Sequence, residues 1–202
     1  MEPCIVSIVE GHGEVEALPV LVRRILLEQA PPVYANVHRP RRIAKGSLLR
    51  QGELERHVEA AASQTEMPAA ILVVIDSDGE LPCVMGPRLL ARATCARSDM
   101  SIGIVLAHWE WENWYLAAVE SLAGYRGLRP DISSPEHPES ISGAKEWLTR
   151  HMQTGRVYSP IPDQAALADR LDLQAARRAP SFDKLYREVL RLFREASSRG
   201  HA

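Results

Sequence analysis

Two acidic turns follow two stretches of the chain that have the composition of buried β-strands. The apolar residues 4–9 lead into Glu10 and Glu14, and the apolar residues 71–75 lead into Asp76 and Asp78. In an open α/β sheet, the carboxyl ends of the parallel strands form the ligand crevice. Carboxylates gathered there repel one another unless a cation neutralises them, and Mg²⁺ and Mn²⁺ prefer oxygen ligands. The two turns therefore predict a divalent-metal site that handles phosphate.

The Asp-Ser-Asp-Gly turn supports this prediction only in part. Asp76 and Asp78 can bend toward one metal ion, and Gly79 permits the tight backbone path. A solvated turn is the plainer interpretation, because Asp and Gly are ordinary turn residues. Glu10 lies at the same end of another predicted parallel strand, which makes coincidence the weaker explanation. Glu14 can also be a simple helix-start residue that the helix dipole favours.

A third acidic turn, with Glu110 and Glu112, follows the predicted fourth strand. We include Glu112 among the candidate metal ligands. Trp109, Trp111 and Trp114 lie beside these carboxylates and can either stack on nucleic-acid bases or belong to the core. We predict that at least two of the three tryptophans are core residues.

Two histidines, His12 and His108, each adjoin an acidic turn. Either can act as a proton donor to a phosphate. A hydrogen-bonded structural role is the interpretation that we favour for both.

The net charge of −2 conceals a basic segment, the basic loop, at residues 38–50. No acidic residue occurs between Glu28 and Glu53. A charged run is usually a solvated surface, but beside a metal site it would attract a nucleic-acid backbone. We predict phosphate contacts from the basic residues of this loop and from one lysine nearer the C-terminus: Arg39, Arg41, Arg42, Lys45, Arg50 and Lys145.

The alternation of strand and helix patterns predicts an α/β fold with a mainly parallel four-stranded sheet flanked by helices. The predicted strands are residues 4–9, 33–37, 70–75 and 101–106, and the helices between them are residues 14–28, 51–63 and 86–97. We place an α/β core at residues 1–122 and a helical annex, packed on that core, at residues 123–202. The two parts can equally form one compact domain. The predicted helices of the annex are residues 142–152, 163–171 and 181–197.

Composition is ordinary for a soluble globular protein, with 46% hydrophobic and 25% charged residues. The three cysteines have no CxxC spacing, and Cys4 has the position of a small core residue. No signal peptide and no stretch of 18 apolar residues occurs, so we expect a cytoplasmic location.

The Glu-Gly turn after the first strand, the DxD turn after the third and the alternating elements resemble the Toprim domain of topoisomerases, primases and overcoming-lysogenization-defect (OLD) nucleases. The segment from Val9 to Glu14 is especially similar to the OLD form, in which a second Glu follows four residues after the first. The whole chain is similar to a family of bacterial Toprim-like proteins of about this length, often encoded beside an AAA or SMC-like ATPase. The resemblance implies that Glu10 is a metal ligand or general acid/base, and that Asp76 and Asp78 bind Mg²⁺.

These observations lead to a metal-dependent nuclease, or related phosphodiester-cleaving module, as the first hypothesis. Its catalytic carboxylates would be Glu10, Glu14, Asp76 and Asp78, with Glu112 as a further ligand of two metal ions. The sequence has no GxxxxGK[ST] motif, so an ATPase partner would be a separate chain in a defence or DNA-processing system. The alternative is a non-catalytic subunit of such an ATPase complex that binds metal or nucleic acid without cutting. A glycosyltransferase also uses DxD, but the Glu10 turn and the basic loop favour the nuclease.

Overall fold

Continuous apolar stretches form the centre of a parallel β-sheet in the computed structural model, which describes residues 2–65 and 69–199. Within these residues the strands are β1 (Cys4–Val9), β2 (Asn36–Val37), β3 (Arg41–Arg42), β4 (Ala69–Asp76) and β5 (Ser101–Ala107). The order is β2-β1-β4-β5, with β3 also beside β1, and every pairing is parallel. The predicted parallel sheet is confirmed. The predicted second strand, residues 33–37, is shorter than expected, and the basic loop adds a further short strand.

Helices follow the strands as the sequence pattern predicts. They are α1 (Glu14–Leu27), α2 (Lys45–Leu48), α3 (Glu53–Ala62), α4 (Pro82–Ala96), α5 (Asn113–Ala117), α6 (Ala144–Arg150), α7 (Pro160–Arg170), α8 (Leu173–Ala176) and α9 (Pro180–Arg199), with 3₁₀ helices at Val119–Leu122 and Pro138–Ser140. None of the helices in the described part of the chain combines the length and the apolar character needed to cross a membrane.

The two faces of the sheet are both covered, which explains the unbroken apolar character of its central strands. Successive side chains of a strand point to opposite faces. Ile5 of β1 belongs to the same buried cluster as residues of α1 and α9, whereas Val6 belongs to a second cluster with residues of α3 and α4. Cys4 is buried in that second cluster, as predicted. The last helix of the annex is thus part of one layer of the three-layer core, since α9 contacts β5, β4 and β1.

Aromatic side chains connect the exit of β5 to the annex. Trp111 and Trp114 are fully buried with ring centroids 4.6 Å apart, and Phe182 of α9 meets Trp114 edge-on at 5.6 Å. The Trp111 indole donates a 2.7 Å hydrogen bond to the hydroxyl of Tyr115. The prediction that at least two of these tryptophans are core residues is confirmed.

Candidate functional site

The predicted acidic residues come together at one edge of the sheet, where β1, β4 and β5 all end. β1 and β4 run in parallel register up to the pair Val9–Val74, and Asp76 pairs with Ala107 of β5. The turns that carry the carboxylates therefore leave the sheet side by side. The pKa of Asp76 reflects this closeness: burial raises it, and the charges of Glu14, Glu112 and Glu10 raise it further.

The first acidic turn is held closed by its own second glutamate. The backbone N–H of Glu10 donates a 3.0 Å hydrogen bond to Oε2 of Glu14, at the start of α1. Gly11 leaves room for this arrangement, because a Cβ there would lie 2.7 Å from Oε1 of Glu14. Burial raises the pKa of Glu14 to about 7, with the charges of Glu112 and Glu10 adding to the effect.

The Glu10 side chain has an oxygen without a protein partner. Its Oε2 is buried and makes no hydrogen bond to any of the described residues. Burial and the nearby charge of Asp78 raise the pKa of Glu10, while the charge of Lys45 acts in the opposite direction. A buried carboxylate oxygen without a donor is costly unless a proton or a cation satisfies it.

Asp76 is the last residue of β4, so the strand itself fixes its position. Its Oδ1 accepts a 2.7 Å hydrogen bond from the backbone N–H of Trp111, which ties the second acidic turn to the third. Burial, followed by the charges of Glu14 and Glu112, raises the pKa of Asp76 well above its usual range.

The second acid of the DxD turn has a different environment. Asp78 has a left-handed backbone (φ 50°), and its side chain is 61% exposed. The ammonium of Lys45 donates to the carbonyl oxygen of Ser77 at 2.8 Å and to Oδ2 of Asp78 at 2.9 Å. We predicted Lys45 as a phosphate contact; instead its side chain is only 9% exposed and its charge is directed into the acidic cluster.

Ser77, between the two aspartates, fastens this turn to the exit of β5. Its backbone N–H donates to the carbonyl of Ala107, and its buried hydroxyl accepts a 2.9 Å hydrogen bond from the N–H of Trp109. Glycine is needed at position 79 for two reasons. Its φ of 86° is left-handed, a conformation that other residues rarely adopt, and a Cβ at this position would lie 2.8 Å from the Trp109 ring.

Glu112 is fully buried, and residues of the annex hold it in place. Its Oε1 accepts hydrogen bonds of 2.9 Å from the hydroxyl of Tyr158 and from Nε2 of Gln164. The ammonium of Lys145 lies 3.3 Å from its Oε2. Burial raises the pKa of Glu112, and the charge of Lys145 only partly opposes that rise.

Lys145 also binds the neighbouring carboxylate, because Glu110 Oε1 lies 3.5 Å from its ammonium and Glu110 Oε2 accepts from its backbone N–H at 3.2 Å. Although burial lowers the pKa of Lys145, the charges of Glu112, Asp76 and Glu110 raise it to a greater extent. The side chain of Lys145 as a whole remains 37% exposed.

Tyr158 and Gln164 are the two site residues that the sequence prediction missed. The start of α7 packs directly on the first acidic turn: a Cβ at Gly13 would lie 2.0 Å from Oε1 of Gln164 and 2.5 Å from the carbonyl oxygen of Pro160. No spacing in the sequence connects residues so far apart. The one signal for them in the sequence is the pair Gly11 and Gly13 of the first turn, because glycine permits another group to approach the backbone closely.

The basic loop borders the acidic cluster. Arg42 of β3 pairs with Val9 of β1, and its guanidinium lies 3.5 Å from the carbonyl oxygen of Glu10. Arg39 and Arg50 are exposed, the former in an ion pair with Glu16. Arg42 is thus the exposed arginine of the loop that contacts the first acidic turn.

Arg41 is half-buried, with its Nε making no hydrogen bond to the described residues. Of the two histidines, His12 is exposed beside the first acidic turn. His108 lines an apolar groove along β5, and its backbone N–H donates to the hydroxyl of Ser181.

Two lysines lie against carboxylates of the cluster: Lys45 pairs with Asp78, and Lys145 pairs with Glu112. Among residues 2–65 and 69–199, no group of three or more His, Cys, Asp or Glu side chains is placed so that it could hold a metal ion. Burial raises the pKa of Glu10, Glu14, Asp76 and Glu112, and the charges of neighbouring carboxylates add to the rise. These four carboxyl groups therefore keep a proton to a higher pH than free carboxyl groups do.

The chain belongs to the family described as Domain of unknown function (DUF4276), which matches residues 9–190. The match includes all three acidic turns and the annex residues that hold Glu112. No curated protein and no solved structure matches the chain.

Proposed function

We propose that this protein is a Toprim-like, Mg²⁺- or Mn²⁺-dependent phosphodiester-cleaving module that acts on nucleic acid. The observation that carries the proposal is the convergence of Glu10, Glu14, Asp76 and Glu112, from three separate turns, on one edge of the sheet. The pKa of every one of the four is raised. A divalent cation is the ligand that removes their mutual repulsion and also binds phosphate oxygen.

The residues present fit such a cation. Glu10 supplies a buried oxygen without a hydrogen-bond donor, and Asp76 has one oxygen engaged by the Trp111 N–H. In Glu112, Oε1 accepts hydrogen bonds from two side chains, and Oε2 lies 3.3 Å from the ammonium of Lys145. When bound, the cation would lower the pKa of a water molecule and stabilise charge on the departing oxygen.

The remaining groups would act through protons and charge. With a pKa of about 7, Glu14 exchanges its proton near neutral pH, which is the property that a general acid or base requires. Exposed Arg39 and Arg42, beside the Glu10 turn, would draw in the phosphodiester backbone that the carboxylates repel. We further propose that the protein works in the cytoplasm with a separate AAA or SMC-like ATPase.

A cleavage assay tests the proposal. Purified protein is incubated with end-labelled single- and double-stranded DNA and RNA, with Mg²⁺, with Mn²⁺ or with EDTA. We expect metal-dependent cleavage that Asp76→Asn reduces by about a hundredfold or more, since loss of a metal ligand removes several kcal/mol of charge stabilisation. Glu80→Gln is the matched control, because Glu80 is exposed in the same turn. Equal cleavage by wild type and a folded Asp76→Asn variant contradicts the assignment.

The second candidate function is a non-catalytic subunit of an ATPase complex. A groove of about 660 Å³ beside β5, lined in part by Leu90, Ile104 and Leu106, favours it, together with the exposed side chains of Leu81 and Val84. Apolar surface of this kind is typical of interaction sites. Binding of nucleic acid without turnover, with and without the neighbouring ATPase, is the outcome that would favour this function.

A further inference from the structure

The strand β5 lies at an outer edge of the sheet and has a neighbouring strand on one side only. Among the described residues the sheet order ends at β5, and β4 is its pairing partner. Alternate residues of a strand direct their main-chain N–H and C=O groups to opposite sides of the ladder. The carbonyl of Ala107 faces β4, where it accepts from the N–H of Ser77. Ile104 and Leu106, which alternate with Ala107, therefore direct their main-chain groups to the open side.

The annex closes both ends of this open side. At one end the guanidinium of Arg191 donates to the carbonyl oxygen of Ile102 at 2.8 Å, and at the other the N–H of His108 donates to the hydroxyl of Ser181 at 3.2 Å. Within the described part of the chain, no hydrogen bond reaches the outward main-chain groups of the two residues between these points. Unpaired edge groups of this kind are a template for another extended chain.

The groove of about 660 Å³ beside β5 follows this open edge, and one of its walls is apolar. Cys83, Pro87 and Leu90 line that wall from α4 at intervals of about one helical turn, and all three are exposed. They thus present one continuous apolar face of α4 along the strand. This wall favours apolar side chains on the α4 side of any strand that is added to β5.

The opposite wall has a carboxylate without a cationic partner. Oε1 of Glu139 accepts from both the backbone N–H and the hydroxyl of Ser181, at the start of α9. Lys184 also lines this wall, but it pairs with Glu188 at 3.2 Å, and no basic side chain of the described residues lies within ion-pair distance of Glu139. A basic side chain on the α9 side of an added strand would supply the missing charge.

We propose that the open edge of β5 binds an extended segment of a partner protein, which joins the sheet as a further strand and alternates apolar with basic side chains. The free main-chain groups of Ile104 and Leu106 would bond to the segment, because adding a strand to an open edge satisfies such groups. Successive side chains of the segment would point alternately to the α4 wall and to Glu139. The two closed ends limit the bonded part to about four residues, at about 3.3 Å per residue. The proposal does not depend on the metal-dependent function proposed above.

Amide hydrogen exchange with a designed peptide tests the proposal. The probe is a fluorescein-labelled peptide of about six residues in which valine and lysine alternate. When the peptide binds, exchange at the N–H groups of Ile104 and Leu106 should slow by about tenfold or more. Exchange at Gly103 and Val105, whose N–H groups face β4, should not change. The same peptide with every main-chain amide methylated cannot donate to β5 and should not bind.

Substitutions in the two walls test the side-chain preferences by fluorescence anisotropy. Leu90→Asp places a charge in the apolar wall and should weaken binding by about tenfold or more. Leu27→Asp is the matched control, because Leu27 is an exposed leucine of α1 outside the groove, and it should bind as wild type does. Glu139→Gln keeps an acceptor for Ser181 but loses the charge. It should weaken binding of the valine–lysine peptide, but not of a peptide with glutamine in place of lysine.

Several results would overturn the proposal: no binding of the peptide, equal binding of its methylated form, or binding without slower exchange at Ile104 and Leu106. Slow exchange at these two positions that depends on protein concentration, without peptide, would also overturn it, because a second copy of the chain would then occupy the edge. Peptide binding as described, in a protein that cleaves no nucleic acid, would support this proposal and overturn the proposed function alone.

Discussion

The pKa of Glu14 gives a quantitative prediction about stability. Glu14 is 4% exposed in the folded protein, where its pKa is about 7, against a reference value of 4.5 for the unfolded chain. The folded state therefore binds the proton more tightly than the unfolded state. The stability that this group contributes is complete below pH 4.5 and is lost as the pH rises through about 7.

The magnitude follows from the shift in the pKa. A difference of one pKa unit corresponds to about 1.4 kcal/mol, so a shift from 4.5 to about 7 amounts to about 3 kcal/mol. Replacing Glu14 with glutamine makes the group neutral at every pH, while its carbonyl oxygen can still accept from the N–H of Glu10. Because pH 5 already lies above the unfolded pKa of 4.5, Glu14→Gln should lose about 2–3 kcal/mol less unfolding free energy than wild type between pH 5 and pH 8.

Urea unfolding in EDTA, followed by circular dichroism at several pH values, measures this difference. Glu16→Gln is the control, since Glu16 lies in the same helical turn with a largely exposed side chain. In wild type, Mn²⁺ should restore stability more at pH 8 than at pH 5, because a cation competes with the proton for the same carboxylates. A gap between Glu14→Gln and wild type that is the same at pH 5 and pH 8 would refute this reasoning.

Two further predictions concern packing between the acidic turns and the annex. Gly13→Ala should destabilise the protein by about 1–3 kcal/mol in thermal melts, because its Cβ would overlap Gln164 and a backbone oxygen, whereas Gly46→Ala meets nothing within 4 Å and should be neutral. Phe182→Ala should cost about 3–5 kcal/mol, since Phe182 is fully buried against Trp114. The Phe182→Ala variant should still unfold in a single transition of the whole chain. A separate, earlier transition of residues 123–202 would contradict this prediction.

The sequence alone was sufficient to predict the sheet and the convergence of its acidic turns. β1, β4 and β5 agree with their predicted bounds to within a residue or two. The convergence followed from the direction of the strands. Because the strands of a parallel sheet all end at the same edge, Glu10 and Asp76 had to lie at that edge. The weak second strand was less predictable, because Pro31, Pro32 and Pro40 interrupt pairing on either side of it.

The tertiary structure was needed to show which groups the long polar side chains contact. The sequence led us to predict phosphate contacts for Lys45 and Lys145, and in the fold both lysines pair with carboxylates of the cluster. The contacts of Glu112 with Tyr158 and Gln164 join residues about fifty positions apart. No local pattern records such contacts.

The sequence thus determined which strand ends meet at one edge of the sheet, and the tertiary structure decided which charges neutralise one another at that edge. Hydrophobic periodicity and strand direction are local properties that are read over a few residues. The partner of a buried charge depends instead on how α7 and α9 pack against the sheet, and that packing is set by shape complementarity over the whole core. The amphipathic pattern of α9 predicted a helix with one apolar face, but only the folded chain showed that this face covers β5, β4 and β1.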